Sequence, residues 1–265
     1  MTGEEKLEAV RGKKAFLIDL DGVVYRGKLL LPGVPEFLSW LRREGKLFRF
    51  VTNNSFYTPR ELSERLGRMG VEAEPSDFYT SAMAAAWFCA AQSESPSAWA
   101  IGANGLFEAL EEAGVPLAEK DPEFVIAGEA LKGYGFESVS RALNFVLAGA
   151  RLIATNADIT GPVSNGLIPA TGAMVAPIEI ASGRKAYFVG KPNPLMLRRA
   201  MAGLGVHADE AVMIGDSMGT DIRGGLESGV STVLVLSGLT KREDIAHFSY
   251  RPDLVLQGAG DIALP

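Results

Sequence analysis

The sequence predicts an α/β protein: a doubly wound parallel-sheet core interrupted by a large inserted α/β module. Three observations carry this. Short apolar runs alternate along the chain with helical apolar stripes, the β-α-β-α order of parallel sheets covered by helices on both faces. Two polar, turn-rich stretches, 92–97 (Q-S-E-S-P-S) and 182–184 (S-G-R), break that order. Apolar runs on either side of the breaks end in carboxylates, amides, a hydroxyl or a lysine, as strand tips around a ligand crevice do. The expected division is a discontinuous core, 1–92 and 186–265, and an insertion, 93–185.

The first strand is 15–19, an apolar run over 15–18 with Asp19 at its tip; Asp21 follows and Gly22 closes the segment. A helix follows, with Val34, Phe37, Leu38 and Leu41 on one face. The second strand, 47–51, ends in Thr52, Asn53 and Asn54. Thr58-Pro59-Arg60-Glu61 is a capping-box helix start, and Leu62, Leu66 and Met69 line that helix. A short strand at 78–80 precedes an Ala-rich helix, 82–91, where Trp87, Phe88 and Cys89 are packing residues.

The insertion reads as strands 99–101, 124–127 and 152–154 with helices 106–113 and 136–147. A Gly/Pro/Asn-rich loop, 156–172, leads to a helix at 173–181. After it, 186–189 is expected as a core strand ending in Gly190-Lys191-Pro192. Asn193 caps the next helix, with Pro194 at its first position and Leu197, Ala200, Met201 and Leu204 on one face. The strand 211–214 ends in Gly215-Asp216-Ser217, with Asp221 following, and strands 232–236 and 254–256 complete the sheet.

Composition narrows the partners. Lys plus Arg number 26 against 32 Asp plus Glu, a net charge of −6. This argues against a nucleic-acid groove or an anionic membrane surface; a small anion remains admissible, because a bound cation reverses the local field. A homo-oligomer is left open. The single cysteine, Cys89, excludes an intrachain disulfide. The acidic N-terminus lacks an apolar signal segment and no apolar run reaches membrane-span length, so the expected location is cytoplasmic. His207 and His247 have no ligand or triad neighbourhood, which leaves acid–base work to carboxylates.

In a parallel sheet the C-terminal strand tips share one edge, so Asp19, Asp21, Thr52, Asn53, Asn54, Lys191, Asp216 and Asp221 can meet. Clustered carboxylates repel and raise each other's pKa. A divalent cation relieves that conflict, and oxygen-only ligands select Mg²⁺ over zinc. A lysine, a hydroxyl and helix N-termini add what an anionic phosphate needs. These are parts for phosphoryl transfer, in which one carboxylate attacks phosphorus and a second moves the proton. Asp19 and Asp21, at i and i+2, point to one side of an extended segment.

The segments D-L-D-G-V-V-Y (19–25), T-N-N (52–54), G-K-P-N-P (190–194) and G-D-S-M-G-T-D (215–221) resemble the haloacid dehalogenase-like phosphatase superfamily. T-S-A (80–82), A-T-N-A-D (154–158), P-A-T-G-A (169–173) and S-G-R-K (182–185) look like its NagD-like / p-nitrophenylphosphatase branch. The resemblance implies a Rossmann-like core with an α/β cap and a Mg²⁺-dependent phosphomonoester hydrolase. It implies a small phosphorylated metabolite as substrate, a nucleoside monophosphate, a sugar phosphate or similar. It further implies Asp19 as nucleophile, Asp21 as acid/base, and Thr52 and Lys191 on the phosphoryl group, with Asn53 and Asn54 beside it. Asp216, the Asp19 side chain and the Asp21 carbonyl would hold the metal, with Asp221 supporting the metal or Lys191. Ala157 and Ala170 depart from the family's usual Pro and Gly, in a segment expected to face the leaving group.

Other chemistries stay in view. A dehalogenase needs neither Mg²⁺ nor an acid at position 21, so Asp21 and Asp216 argue against it. A phosphomutase on the same core would return the phosphoryl group to a sugar. A non-catalytic nucleotide-binding module is the alternative from another class, but Gly102-Ala103-Asn104-Gly105 lacks the G-x-G-x-x-G pattern.

Overall fold

The apolar run ahead of Asp19 is an interior strand, Ala15–Ile18, with all four residues buried. Burial on both faces explains why it reads as unbroken apolar sequence instead of alternating. The computed structural model describes residues 2–163 and 166–263. In it the chain folds as two compact units, Met1–Thr52, Ser63–Tyr79 and Lys191–Pro265 in one, Asn53–Leu62 and Thr80–Gly190 in the other.

The first unit is built on a six-stranded sheet in the order Leu254–Leu256, Ser231–Val235, Ala211–Gly215, Ala15–Ile18, Leu47–Thr52, Phe78–Thr80. Ala15–Ile18 pairs in parallel with both neighbours, Ile18 lying opposite Ile214 on one side and Phe50 on the other. The helix Val34–Arg43 buries Val34, Phe37, Leu38 and Leu41, as the spacing predicts. Phe16 meets Phe37 and Trp40 edge-on at 6.1 and 5.6 Å, a geometry that adds to the area these rings bury. Elements not read from the sequence include the N-terminal helix Gly3–Arg11, the short helix Arg223–Ser228 and the small hairpin Tyr25–Arg26 with Leu29–Leu30.

The second unit has its own four-stranded sheet, in the order Tyr187–Phe188, Arg151–Ala154, Phe124–Ala127, Ala98–Ile101, with all registered pairs parallel. Val125, Val146, Leu152, Val175 and Ile178 are among the buried residues of its core. The helices Phe136–Ala148 and Thr171–Ser182 close around that core.

Three features differ from expectation. The strand before Lys191 does not join the core sheet; Tyr187 pairs with Ile153 and Phe188 with Ala154 in the second unit. An apolar run declares itself a strand without naming its partner. The stretch 156–172 is not all loop, since Thr160–Val163 and Gly166–Pro169 form an antiparallel hairpin, with 164 and 165 outside the described residues. The helix Ser81–Gln92 clusters with the second unit, so the units part earlier than the polar stretch after it suggested. Among the described residues no helix is long and apolar enough to cross a membrane.

Candidate active site

The register of the larger sheet brings the polar strand ends to one edge. Asp19 follows the central strand directly, and its N–H donates to the Ile214 carbonyl at 2.9 Å. Thr52 ends the neighbouring strand on one side, and Asp216 follows the neighbour on the other. Asp19, Asp216 and Asp221 each offer a carboxylate oxygen, all within 4.8 Å of one another. The Lys191 ammonium lies among them, donating to Asp19 Oδ1 at 2.5 Å and to Asp221 Oδ1 at 2.7 Å. Lys191 is 2% exposed and Asp221 1%, so these charges meet with little water to screen them.

Local structure explains each placement. The turn Met218–Ile222 swings Asp221 back over the strand end, where Oδ2 accepts from the N–H groups of Asp216 and Ser217 at 3.2 and 3.1 Å. One turn of helix-like backbone is thus the physical content of the G-D-S-x-x-x-D spacing. It works only because position 215 is glycine: a Cβ there would lie 2.1 Å from Asp221 Cβ. Asp216 Oδ2 accepts from the Leu239 N–H at 2.6 Å, and two glycines make room for it. A Cβ on Gly22 would fall 2.2 Å from Asp216 Oδ2, and one on Gly238 at 1.8 Å. Lys191 stands at the entry to the helix Pro194–Leu204, whose start Asn193 caps by accepting from the Leu195 N–H.

The cluster is electrostatically unbalanced. Burial pushes the Asp19 carboxyl well above the ordinary carboxylate range; Lys191 pulls it back, while Asp221 and Asp216 push it further up. Burial and the Asp221 charge push Asp216 up to about 7, against the Leu239 N–H and Lys191. Burial works against the Lys191 ammonium, but Asp19 and Asp221 outweigh it and raise its pKa above that of an ordinary lysine. Three carboxylates around one ammonium form a hard, oxygen-only donor set that a divalent cation would neutralise, and this donor chemistry fits Mg²⁺.

Asp21 sits apart from this buried group and is solvent-exposed. The protein on its inner side still costs the carboxyl hydration and raises its pKa, against the pull of Arg65 and a hydrogen bond from the Tyr25 hydroxyl. Arg65 in turn lies 4.6 Å over the Tyr25 ring and donates to the Gly27 carbonyl at 2.8 Å. Tyr25 and Arg65 were not singled out in the sequence. Tyr25 closes the first motif, but Arg65 lies far along the chain with no signal of its own. Leu239 and Thr240 were also missed. Thr240 Oγ1 accepts from the Met218 N–H at 3.1 Å, and both residues act through loop backbone and a common side chain that no spacing marks.

Asn53 and Asn54 belong to the second unit. Asn53 Nδ2 donates to Asp158 Oδ2 at 3.1 Å. Asn54 Oδ1 accepts from the Phe56 and Tyr57 N–H groups at 3.2 and 3.0 Å, closing a turn. The structure therefore brings Asp19, Lys191, Asp216 and Asp221 together and sets Thr52 and Asp21 on adjoining segments of the same unit. The two asparagines it uses in the polar framework of the other unit.

Comparison with known proteins follows the same outline. Residues 16–116 match the family model described as haloacid dehalogenase-like hydrolase, and residues 188–262 match a HAD-hydrolase-like model. The chain is 43% identical to a dihydroxyacetone phosphatase of Corynebacterium glutamicum, over 94% of this chain and 90% of that one. It is 38% identical to the ribonucleotide monophosphatase NagD of Escherichia coli, over 94% and 98% of the respective chains. It superposes on the solved p-nitrophenyl phosphatase from Archaeoglobus fulgidus with a TM-score of 0.89 at 33% identity, covering 95% of this chain and 98% of the other.

Proposed function

The chain belongs to the haloacid dehalogenase-like hydrolases, in their NagD-like / p-nitrophenylphosphatase branch, and is a phosphatase; from that premise we propose that it is a Mg²⁺-dependent phosphomonoester hydrolase working through an aspartyl-phosphate on Asp19. The observation that carries this reading is the buried cluster of Asp19, Lys191, Asp216 and Asp221 at one sheet edge. A nucleophile, a fixed positive charge and a hard-cation donor set are together there.

In this reading Lys191 pins one oxygen of Asp19 and leaves the other to attack phosphorus. The bond from phosphorus to the ester oxygen breaks, and the leaving oxygen takes a proton from the Asp21 carboxylic acid. A carboxyl whose pKa is raised, and which is open to solvent, suits that proton transfer. Water then attacks the aspartyl-phosphate, giving its proton to the Asp21 carboxylate, and Asp19 is regenerated with release of inorganic phosphate. Thr52 supplies a hydroxyl to the phosphoryl oxygens, and Lys191 an ammonium that the developing charge meets already oriented. Asp19, Asp216 and the Asp21 carbonyl would hold Mg²⁺, whose charge, when bound, screens the approach of one anion to another. Asp221, spent on two backbone N–H groups and Lys191, keeps Lys191 in place.

The substrate class is a small phosphorylated metabolite. One relative is named for dihydroxyacetone phosphate and another for ribonucleotide monophosphates, and both are esters of the kind this chemistry cleaves. Asp19→Asn should abolish hydrolysis of p-nitrophenyl phosphate with the fold intact, and EDTA should silence the native enzyme until Mg²⁺ is returned. Substantial turnover by Asp19→Asn, or activity indifferent to chelation, would overturn the reading.

A further inference from the structure

Of the four crossings of the chain from one unit to the other, the first and the last run between Thr52 and Asn53 and between Gly190 and Lys191. Each therefore ends one peptide away from a residue assigned above to the phosphoryl group. Both crossings are fastened by one short segment of the second unit, residues 154–158. On the return crossing, the Val189 N–H donates to the Ala154 carbonyl at 3.0 Å and the Gly190 N–H to the Thr155 carbonyl at 2.8 Å. On the outgoing crossing, Asn156 Nδ2 donates to the Asn53 carbonyl at 2.8 Å, an oxygen that also accepts from Ser81 Oγ at 2.6 Å. Asp158 Oδ2 accepts from Asn53 Nδ2, and Asn156 Oδ1 accepts from the Asp158 N–H at 3.1 Å.

The two crossings also press on each other. A Cβ on Gly190 would lie 2.5 Å from the Thr155 carbonyl oxygen and 2.7 Å from Asn53 Oδ1, so only glycine passes there. Asn156 is 0% exposed, and both polar atoms of its carboxamide are engaged in this fastening. A buried, satisfied network of this kind is rigid, and removing one member leaves others unpaired.

We propose that Asn156 and Asp158 are positioning residues that set the placement of Thr52 and Lys191 by clamping Asn53 and the return crossing to a single segment. The proposal rests on the reading of Thr52 and Lys191 as phosphoryl-binding groups. The T-N-A-D segment, expected from the sequence to meet the leaving group, would also act through the chain it holds. Misplacing a binding group by about 1 Å is enough to cost on the order of a hundredfold in rate, so a loosened clamp should be visible in kinetics before it is visible in stability.

The experiment compares Asp158→Ala, Asp158→Asn, Asn156→Asp, Asn53→Ala and the double variant Asn53→Ala/Asp158→Ala. It reads kcat/KM for p-nitrophenyl phosphate, the inhibition constant of inorganic phosphate, and the unfolding temperature. Asp158→Ala should lower kcat/KM by about ten- to a hundredfold and weaken phosphate inhibition in parallel, with little change in unfolding temperature. Asp158→Asn should recover most of the loss, since its carboxamide oxygen still accepts from Asn53. The double variant should lose less than the sum of the two single losses, because the two changes share one bond. Asn156→Asp, which sets an anionic oxygen against the Asn53 carbonyl, should fall as Asp158→Ala does. Normal kinetics in Asp158→Ala and Asn156→Asp would overturn the clamp. So would a loss that Asp158→Asn shares in full, that adds in full to that of Asn53→Ala, or that merely follows the unfolding temperature. If the native enzyme turns over no phosphomonoester, the phosphatase reading falls, and calorimetric phosphate affinity across the same variants decides the clamp alone.

Discussion

Asp216 carries the tension of the site in one side chain. It must be ionised to hold a cation, yet burial and the neighbouring Asp221 charge push its carboxyl up to about 7 from an ordinary 3.8. Without metal, the folded protein keeps a proton on Asp216 over a range where the unfolded chain has released it. For an acid raised in this way, the stability it contributes is fully present below about pH 4 and is lost as pH rises through about 7. The metal-free enzyme should therefore weaken between those limits, by a ceiling of roughly 4 kcal/mol from this group. Asp216→Asn does not titrate, and its carboxamide oxygen can still accept from the Leu239 N–H. In EDTA at pH 8 it should unfold several degrees above the native chain, with the gap closing toward pH 4. Thermal melts across that range test this, and a gap that does not depend on pH would sink it. The same reasoning explains why the acids were legible in the sequence while their balance was not. Asp19, Asp21, Asp216 and Asp221 announce themselves by residue type after apolar runs, whereas Leu239, Arg65 and Tyr25 act through backbone or through distance in the chain.

At the scale of elements, strands were legible and their partners were not. The runs 124–127 and 254–256 are strands with those bounds and the first strand ends one residue short of its expected 15–19, because a buried parallel strand is a short apolar run between breakers. The Tyr187–Phe188 strand has the same look, but pairing is decided by the sheet it meets, and it meets the second one. The hairpin Thr160–Val163 with Gly166–Pro169 escaped because Gly and Pro in both arms read as loop. Glycine carries the opposite lesson around Asp216, where turns approach the carboxylate so closely that no side chain fits. Gly238→Ala would place a Cβ 1.8 Å from Asp216 Oδ2 and force either the loop or the carboxylate to move. Its Mg²⁺ requirement should rise at least about tenfold, the cost of moving one ligand of a charged site, while circular dichroism stays native. Gly219→Ala, in the same motif but facing open space, is the control and should behave as the native enzyme. Equal Mg²⁺ titrations for Gly238→Ala and the native chain would show that the close approach has no bearing on the metal.

Across the whole molecule, composition proved a poorer guide to units than contacts. The polar stretch at 92–97 looked like a boundary, yet it joins the helix Ser81–Gln92 to the strand Ala98–Ile101, both in the second unit. A polar turn marks a surface, and surface turns join elements within a unit as well as between units. Two of the four changes of unit instead fall at Thr52 and Lys191, inside the motifs assigned to the phosphoryl group, where no linker composition exists to be read. A protein of two units need not unfold in a single two-state transition. The carboxylate cluster lies wholly in the first, so a ligand of that cluster should stabilise the first and leave the second unmoved. At Mg²⁺ one hundred times its dissociation constant the gain is about 2.7 kcal/mol, or several degrees for a unit of this size. Scanning calorimetry at pH 8, with Mg²⁺ and with EDTA, should show one component rising with the metal and another fixed. In Asp216→Asn the metal-dependent rise should vanish. A Mg²⁺ shift that survives in Asp216→Asn would place the cation elsewhere in the chain, and no shift in the native protein would remove the metal from the mechanism.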